Sequence, residues 1–179
     1  MTRTQKIQAA IRAAYRGGRV LAIDPDATHP GAAQWDPKPP RAWSWGGNST
    51  GIALADPAAV ASLLGGICRP GLAVIEAPLP TGGAWAGAMH AQNMVRGGWV
   101  WACAIHGVPT VLLPPGVWQP AICGAQRGEG GYKKAYKAHA RALLGRAVNE
   151  DAAAALCMLE FALRALGHEL PAEILSGSA

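Results

Sequence analysis

Short, nearly continuous apolar runs alternate along this chain with stretches whose apolar positions recur every three to four residues. Arg19–Asp24, Gly71–Glu76 and Val108–Leu113 are of the first kind, the pattern of strands covered on both faces. Gly31–Trp35 and Ala42–Gly46 read as second and third strands pairing back on the first, with the proline-rich loop Asp36–Arg41 between them. Thr4–Arg16 has helical spacing through Ile7, Ile11, Ala14 and Tyr15. Asp56 and Pro57 have the form of an N-cap and first helical position for a helix to Leu64. Ala84–His106 predicts a long helix closed by Gly107. Pro114-Pro115 closes the last strand and puts Trp118 in a proline-rich loop, followed by the Gly-rich loop Cys123–Gly131. A basic helix over Tyr132–Leu144 and an alanine-rich helix from Asn149 to about Leu166 complete the order. The expectation is an α/β layered domain with a mixed five-stranded central sheet flanked by helices. Its divisions are a basic N-terminal helix (1–18), one globular domain (19–167) and a peripheral tail (168–179).

The acids stand at marked places in this pattern. Asp24 ends the run Val20-Leu21-Ala22-Ile23, Glu76 ends Leu72-Ala73-Val74-Ile75, and Glu150 and Asp151 open the last helix. Ligands of open α/β sheets collect outside the carboxyl ends of strands. Acids converging there would repel one another unless cations sat between them. A pair of divalent ions answers that need and suits in-line phosphodiester chemistry, in which one ion activates water and the other stabilises the leaving oxygen. Taken singly, each acid has a plainer reading. Asp24 before Pro25 suits a turn, Glu76 an exposed strand end, and Glu150 and Asp151 the positive end of a helix dipole.

Charge narrows the partner. The 179 residues carry a formal net charge of +5, with only 15% charged residues, so the positive character rests on a small set of side chains. Arg127, Lys133, Lys134, Lys137 and Arg141 cluster just before the last acidic motif, with Tyr132 and Tyr136 interleaved. This pattern can hold phosphates while rings meet bases or sugars, or it can be a solvated helix face. A second basic segment, Arg3, Lys6, Arg12 and Arg16, reads as the outer surface of the first helix or as an extra phosphate-contacting arm.

The remaining composition mostly excludes. Cys68, Cys103, Cys123 and Cys157 form no C-x-x-C pair and read as buried thiols of a reducing cytoplasm. The five histidines lack metal-ligand spacing and read as surface or core residues. No membrane span and no secretory leader is expected. Trp43 and Trp45 alternate as on one strand face, Trp99 and Trp101 suit core or interface, and most tryptophans are expected to pack.

In order along the chain, these motifs resemble the RuvC-type Holliday junction resolvases, phage-like members included, of the RNase H-like superfamily. Val20-Leu21-Ala22-Ile23-Asp24-Pro25 is similar to their first-strand motif and Ala73-Val74-Ile75-Glu76 to their second. Gly107-Val108-Pro109 and Pro114-Pro115-Gly116-Val117-Trp118 resemble the segment that follows. Lys133-Lys134-Ala135-Tyr136-Lys137 resembles the basic element before the last motif, and Asn149–Leu156 resembles that motif itself. The resemblance spans Arg19–Leu166. It implies an RNase H-like fold and a metal-dependent endonuclease acting on branched DNA in a bacterial or phage-infected cell. It further implies two Mg²⁺ or Mn²⁺ ions held by Asp24, Glu76 and Asp151 with help from Glu150, water as nucleophile, 5′-phosphate and 3′-hydroxyl ends, and a homodimer. One departure stands out: the family carries a second acid three residues after the first on the last helix, and here that position is Ala154. Glu150, adjacent to Asp151, points about 100° away round the helix.

Two other readings follow. The Ala154 departure suits a junction-binding module on the same fold with cleavage weak or lost. An RNase H-like nuclease acting on another nucleic-acid structure fits the same motifs. A small-molecule kinase is disfavoured because the chain has no P-loop.

Overall fold

The computed structural model describes residues 1–25, 31–37, 40–46, 64, 69–78, 86–124, 131–147, 149–170 and 174–176. Helix α1 (Arg3–Ala14) is followed by strands β1 (Arg19–Asp24), β2 (Gly31–Pro37), β3 (Pro40–Gly46) and β4 (Pro70–Glu76), then helix α2 (Ala86–Ile105). Strand β5 (Thr110–Leu113), helices α3 (Pro115–Cys123), α4 (Gly131–Leu144) and α5 (Glu150–Leu166), and strand β6 (Ile174–Ser176) complete the order. The expected helix Asp56–Leu64 lies outside the described residues apart from Leu64, which is buried.

The strands form one mixed sheet in the order β5-β4-β1-β2-β3-β6. β1 pairs antiparallel with β2 and parallel with β4, and β4 pairs parallel with β5. Among the described residues the sheet has six strands rather than the expected five, because Ile174–Ser176 adds to β3 in parallel. Three residues are too few to show a period in sequence, so the tail carried no strand signal.

β1 and β4 are central, and their continuous apolar runs divide between the two faces by simple alternation. Val20, Ala22, Leu72 and Val74 join α5, Trp118 and Tyr136 in one core. Leu21, Ile23, Ala73 and Ile75 join Leu64, Trp99, Cys103 and Val108 in the other. The first core is organised by α5, which is buried almost along its whole length. Its Ala152–Ala155 run brings helix backbone close to the sheet, since alanine keeps helix propensity with little bulk. Asn149 caps it by accepting the Ala152 N–H at 2.8 Å.

Two expectations give way here. The Pro114-Pro115-Gly116 segment was expected as a loop, yet Pro115 opens helix α3. Proline at a first helical position loses no hydrogen bond, so a proline pair can start a helix as readily as end a strand. Cys103 and Cys157 are buried as expected, whereas Cys123 is only half-buried at the end of α3, and Cys68 lies outside the described residues. α1 docks on α5 through the fully buried Ile11, and Arg12 donates to the Ala165 carbonyl at 3.1 Å, which gives that cation a structural partner.

Candidate active site

Strand register brings the first two acids together. β1 and β4 run parallel with Ile23 opposite Ile75, so the next residue on each strand is an acid, Asp24 beside Glu76. Neighbouring strands lie about 4.8 Å apart, and in-register side chains share a face. Ile23 and Ile75 point into the α2-side core, which turns Asp24 and Glu76 toward the α5 side.

α5 brings the other two. Asp24 is paired across the sheet with Gly31, the first residue of β2. A Cβ on Gly31 would lie 2.0 Å from the Asp151 carbonyl oxygen and 2.7 Å from the Ala152 nitrogen. The first turn of α5 therefore rests on the backbone directly opposite Asp24, and only glycine leaves room for it.

Electrostatics show that the four acids share one neighbourhood. The Glu76 carboxyl is pushed up to about 7, chiefly by burial. The nearby Asp151 charge adds to the rise, while Trp118 and Arg96 oppose it. The Trp118 indole N–H is turned toward Glu76 but falls outside hydrogen-bond geometry, leaving a buried donor unpaired. The Tyr136 hydroxyl is raised by burial and then by the charges of Glu150, Asp24 and Glu76. Lys133 is raised by its bond to Glu150, and it also feels Asp151 and Asp24. Each cation or hydroxyl thus reports two or three of the same acids.

The sequence-predicted residues are distributed as follows. Asp24, Glu76, Glu150 and Asp151 come to one edge of the sheet. Glu150 is engaged by Lys133 at 2.5 Å and by Tyr136. Lys133, Lys134, Lys137 and Arg141 are exposed on the outer face of α4, and Arg127 lies outside the described residues. The interleaved tyrosines do not stand free for stacking. Tyr136 is only 5% exposed and packs on Trp118 with ring centroids 5.7 Å apart, and Tyr132 packs against the same core. Residues 132 and 136 sit one turn apart on the face of α4 that meets α5, so helical spacing separated the rings from the basic stripe.

Of the histidines, His139 pairs with Glu160 at 2.6 Å, His168 packs on Trp35 at 4.7 Å, and His29 lies outside the described residues. Trp99 is buried and Trp101 is 69% exposed; the side chains of Trp43 and Trp45 lie outside the description.

One site residue was missed in sequence: Arg96 on α2, 7% exposed, whose Nε donates to the Glu76 carbonyl at 2.5 Å. Its signal was present, because it is the single Lys or Arg in the whole Ala86–Ile105 helix.

Carboxylate oxygens are hard donors of the kind a hydrated divalent cation takes. Glu76 is costly to ionise where it sits, and a cation beside it would remove that cost. Among the described residues no three His, Cys, Asp or Glu side chains are grouped closely enough to cage one ion. Mg²⁺ is commonly held by one or two carboxylates with several waters retained, and that is the mode this donor set can offer.

Comparison with solved structures gives the fold. Thermus thermophilus RuvC in complex with a Holliday junction substrate superposes with a TM-score of 0.58 at 18% identity, covering 83% of this chain and 94% of that one. A second Thermus thermophilus RuvC structure gives 0.56 at 19% identity, with 83% and 95% covered. The chain has a RuvC-like fold. No family model and no curated protein matches it. Within the RuvC-like fold, Asp24, Glu76 and the start of α5 occupy one end of the central sheet, and no described helix is long and apolar enough to cross a membrane.

Proposed function

We propose that this protein is a divalent-metal-dependent endonuclease that cleaves phosphodiester bonds of branched DNA in the manner of a Holliday junction resolvase. The observation that carries the reading is the convergence of Asp24, Glu76, Glu150 and Asp151 into one shared field at the carboxyl end of β1 and β4. The RuvC-like fold and the exposed basic face of α4 support it. Asp24, Glu76 and Asp151 would hold two Mg²⁺ or Mn²⁺ ions, with Glu150 assisting. The ions would supply an activated water and charge neutralisation at the phosphate. Tyr136 and Lys133 orient Glu150, Trp118 closes the apolar side of Glu76, and Lys134, Lys137 and Arg141 offer phosphate contacts. A two-fold homodimer would suit a four-way junction. Met94, Trp101 and Ile105 on α2 and Leu112 on β5 are exposed and form the apolar surface available for it.

The deciding experiment is nicking of a synthetic four-way junction with Mg²⁺ or Mn²⁺, beside a linear duplex and an RNA–DNA hybrid. The expected result is metal-dependent nicking of the junction that is lost in Asp24→Asn. Equal cleavage by both proteins would reject the assignment. A second reading, junction binding with cleavage weak or lost, is favoured by two observations: the buried Ala154 stands where the resolvases place an acid, and Glu150 is already engaged by Lys133. It is distinguished by tight junction binding without nicking in either metal.

A further inference from the structure

We infer that Arg96 is a positioning residue for the carboxylate pair, fixing the end of β4 from the face of the sheet opposite the one on which the acids act. The inference rests on the nuclease reading above and deepens it. A guanidinium is seldom buried without partners, because its charge is poorly tolerated away from water. Arg96 is 7% exposed and has such partners. Its Nε donates to the Glu76 main-chain carbonyl at 2.5 Å, and its Nη1 donates to Asn93 Oδ1 at 2.6 Å, which fixes the plane of the fork from one turn away on α2. Burial lowers the guanidinium's pKa, and the charges of Glu76 and then Asp24 oppose that effect.

The geometry at the strand end makes the role specific. The residue after Glu76 is tied down on the other side, where the Ala77 N–H donates to the Leu113 carbonyl at 3.0 Å. Glu76 is therefore held by its own backbone between β5 and a helix-borne cation, at the point where β4 stops. Its side chain, by alternation from Ile75, leaves on the α5 side. Arg96 thus grips the main chain from one face and presents the acid to the other, acting through Glu76. Its unit charge beneath two acids also offsets part of their repulsion without competing for their oxygens. A lysine could supply the charge but not the planar fork.

The test uses the full chain, with two readouts. The first is binding of Mn²⁺ alone, by calorimetry. The second is single-turnover nicking of the four-way junction over a range of junction concentrations. For Arg96→Ala, the expected outcome is roughly a 10- to 100-fold loss in nicking rate, the scale of an ångström-level misplacement of a reacting group. Junction affinity should stay within about threefold of wild type, and Mn²⁺ affinity should fall. Arg96→Lys should recover only part of the rate. Added guanidinium at low millimolar concentration should restore Arg96→Ala severalfold and leave Asp24→Asn inert, a response that loss of packing would not give. Should Arg96→Ala fail to fold, Arg96→Lys carries the test by the same split between rate and junction affinity. Wild-type protein that neither binds Mn²⁺ nor nicks would remove the nuclease reading itself. Active wild type with an Arg96 variant of unchanged rate and Mn²⁺ affinity, or one whose whole defect lies in junction affinity, would overturn the positioning role alone.

Discussion

Replacing Gly31 with alanine puts a single methyl group between Asp24 and the first turn of α5. Cβ would lie 2.0 Å from the Asp151 carbonyl oxygen and 2.1 Å from its carbonyl carbon, whereas ordinary contact begins at 3.4 Å. Roughly 1.4 Å of separation must therefore be found, and both partners are backbone, so no side chain can swing aside. Overpacking of this kind costs about 1–3 kcal/mol, offset by about 0.4–1 kcal/mol from the stiffer unfolded chain. The net loss, at most about 2.6 kcal/mol, corresponds in a chain of this size to a fall of up to about 10 °C in Tm. The functional cost should be larger, because the displaced turn carries Glu150 and Asp151. A shift near 1 Å at a reacting group can cost about 100-fold in rate. Thermal unfolding with single-turnover nicking of a four-way junction measures both. Gly97→Ala is the control: a Cβ there meets nothing within 4 Å, so it should leave the rate unchanged and raise stability by up to about 1 kcal/mol through helix propensity. If Gly31→Ala keeps both wild-type rate and wild-type Tm, α5 does not position the acids through this contact and the geometry assigned to the site is wrong.

Four further outcomes follow. The Glu76 carboxyl is raised to about 7, so its protonated form favours the fold, and that stability is present below the unfolded carboxyl pKa and lost as pH rises through 7. In metal-free buffer, Glu76→Gln should match wild type at pH 4.5 and exceed it at pH 8.5 by about 2 kcal/mol after discounting for partial exposure, while abolishing nicking. His139 is raised by its bond to Glu160, so its contribution is full below the unfolded imidazole pKa and fades as pH climbs through the raised folded value; His139→Ala should lower stability by about 1 kcal/mol at pH 6, and by less at pH 9 in a calorimetric series. Lys134→Ala and Lys137→Ala should each reduce the slope of log binding constant against log salt by about 1 in fluorescence anisotropy, with no loss of Tm. Trp101→Asp should shift sedimentation from dimer to monomer while leaving the far-UV spectrum intact, because that ring is 69% exposed and supports no core.

Much of the frame was legible because burial writes itself into hydrophobic runs. β1 and β4 are covered on both faces, so Val20–Ile23 and Leu72–Ile75 carry no polar break until the acid that ends each strand. The start of α5 was legible for a different reason, since Asn149 has the side chain a cap requires. Where local chemistry allows two outcomes, sequence could not choose between them. Pro114-Pro115 can end a strand or start a helix, and here the pair does both. Tyr132 and Tyr136 lie among lysines in the chain but on another face of the helix, a distinction that depends on where α4 meets α5. β6 is too short for any period and is specified by the edge of β3 that it joins.

The division between legible and hidden follows the sign of the charges. The acids end apolar strands or begin a capped helix, so their positions are fixed by elements that sequence can delimit. The groups that set their electrostatic environment come from outside those motifs: Arg96 from the middle of an otherwise uncharged helix, Trp118 from a segment that looked like a loop, and Lys133 and Tyr136 from a helix read as a binding face. Such groups act across space, and their value depends on an approach such as that of Asp151 to Gly31, which a string of residues does not encode locally. A half-buried carboxyl raised to about 7 lies next to a buried guanidinium whose charge opposes that rise. On the proposed nuclease reading, a cation at this edge of the sheet would relieve the cost of ionising Glu76, which would tie that reading to the packing of α2 and α5 rather than to the acids by themselves.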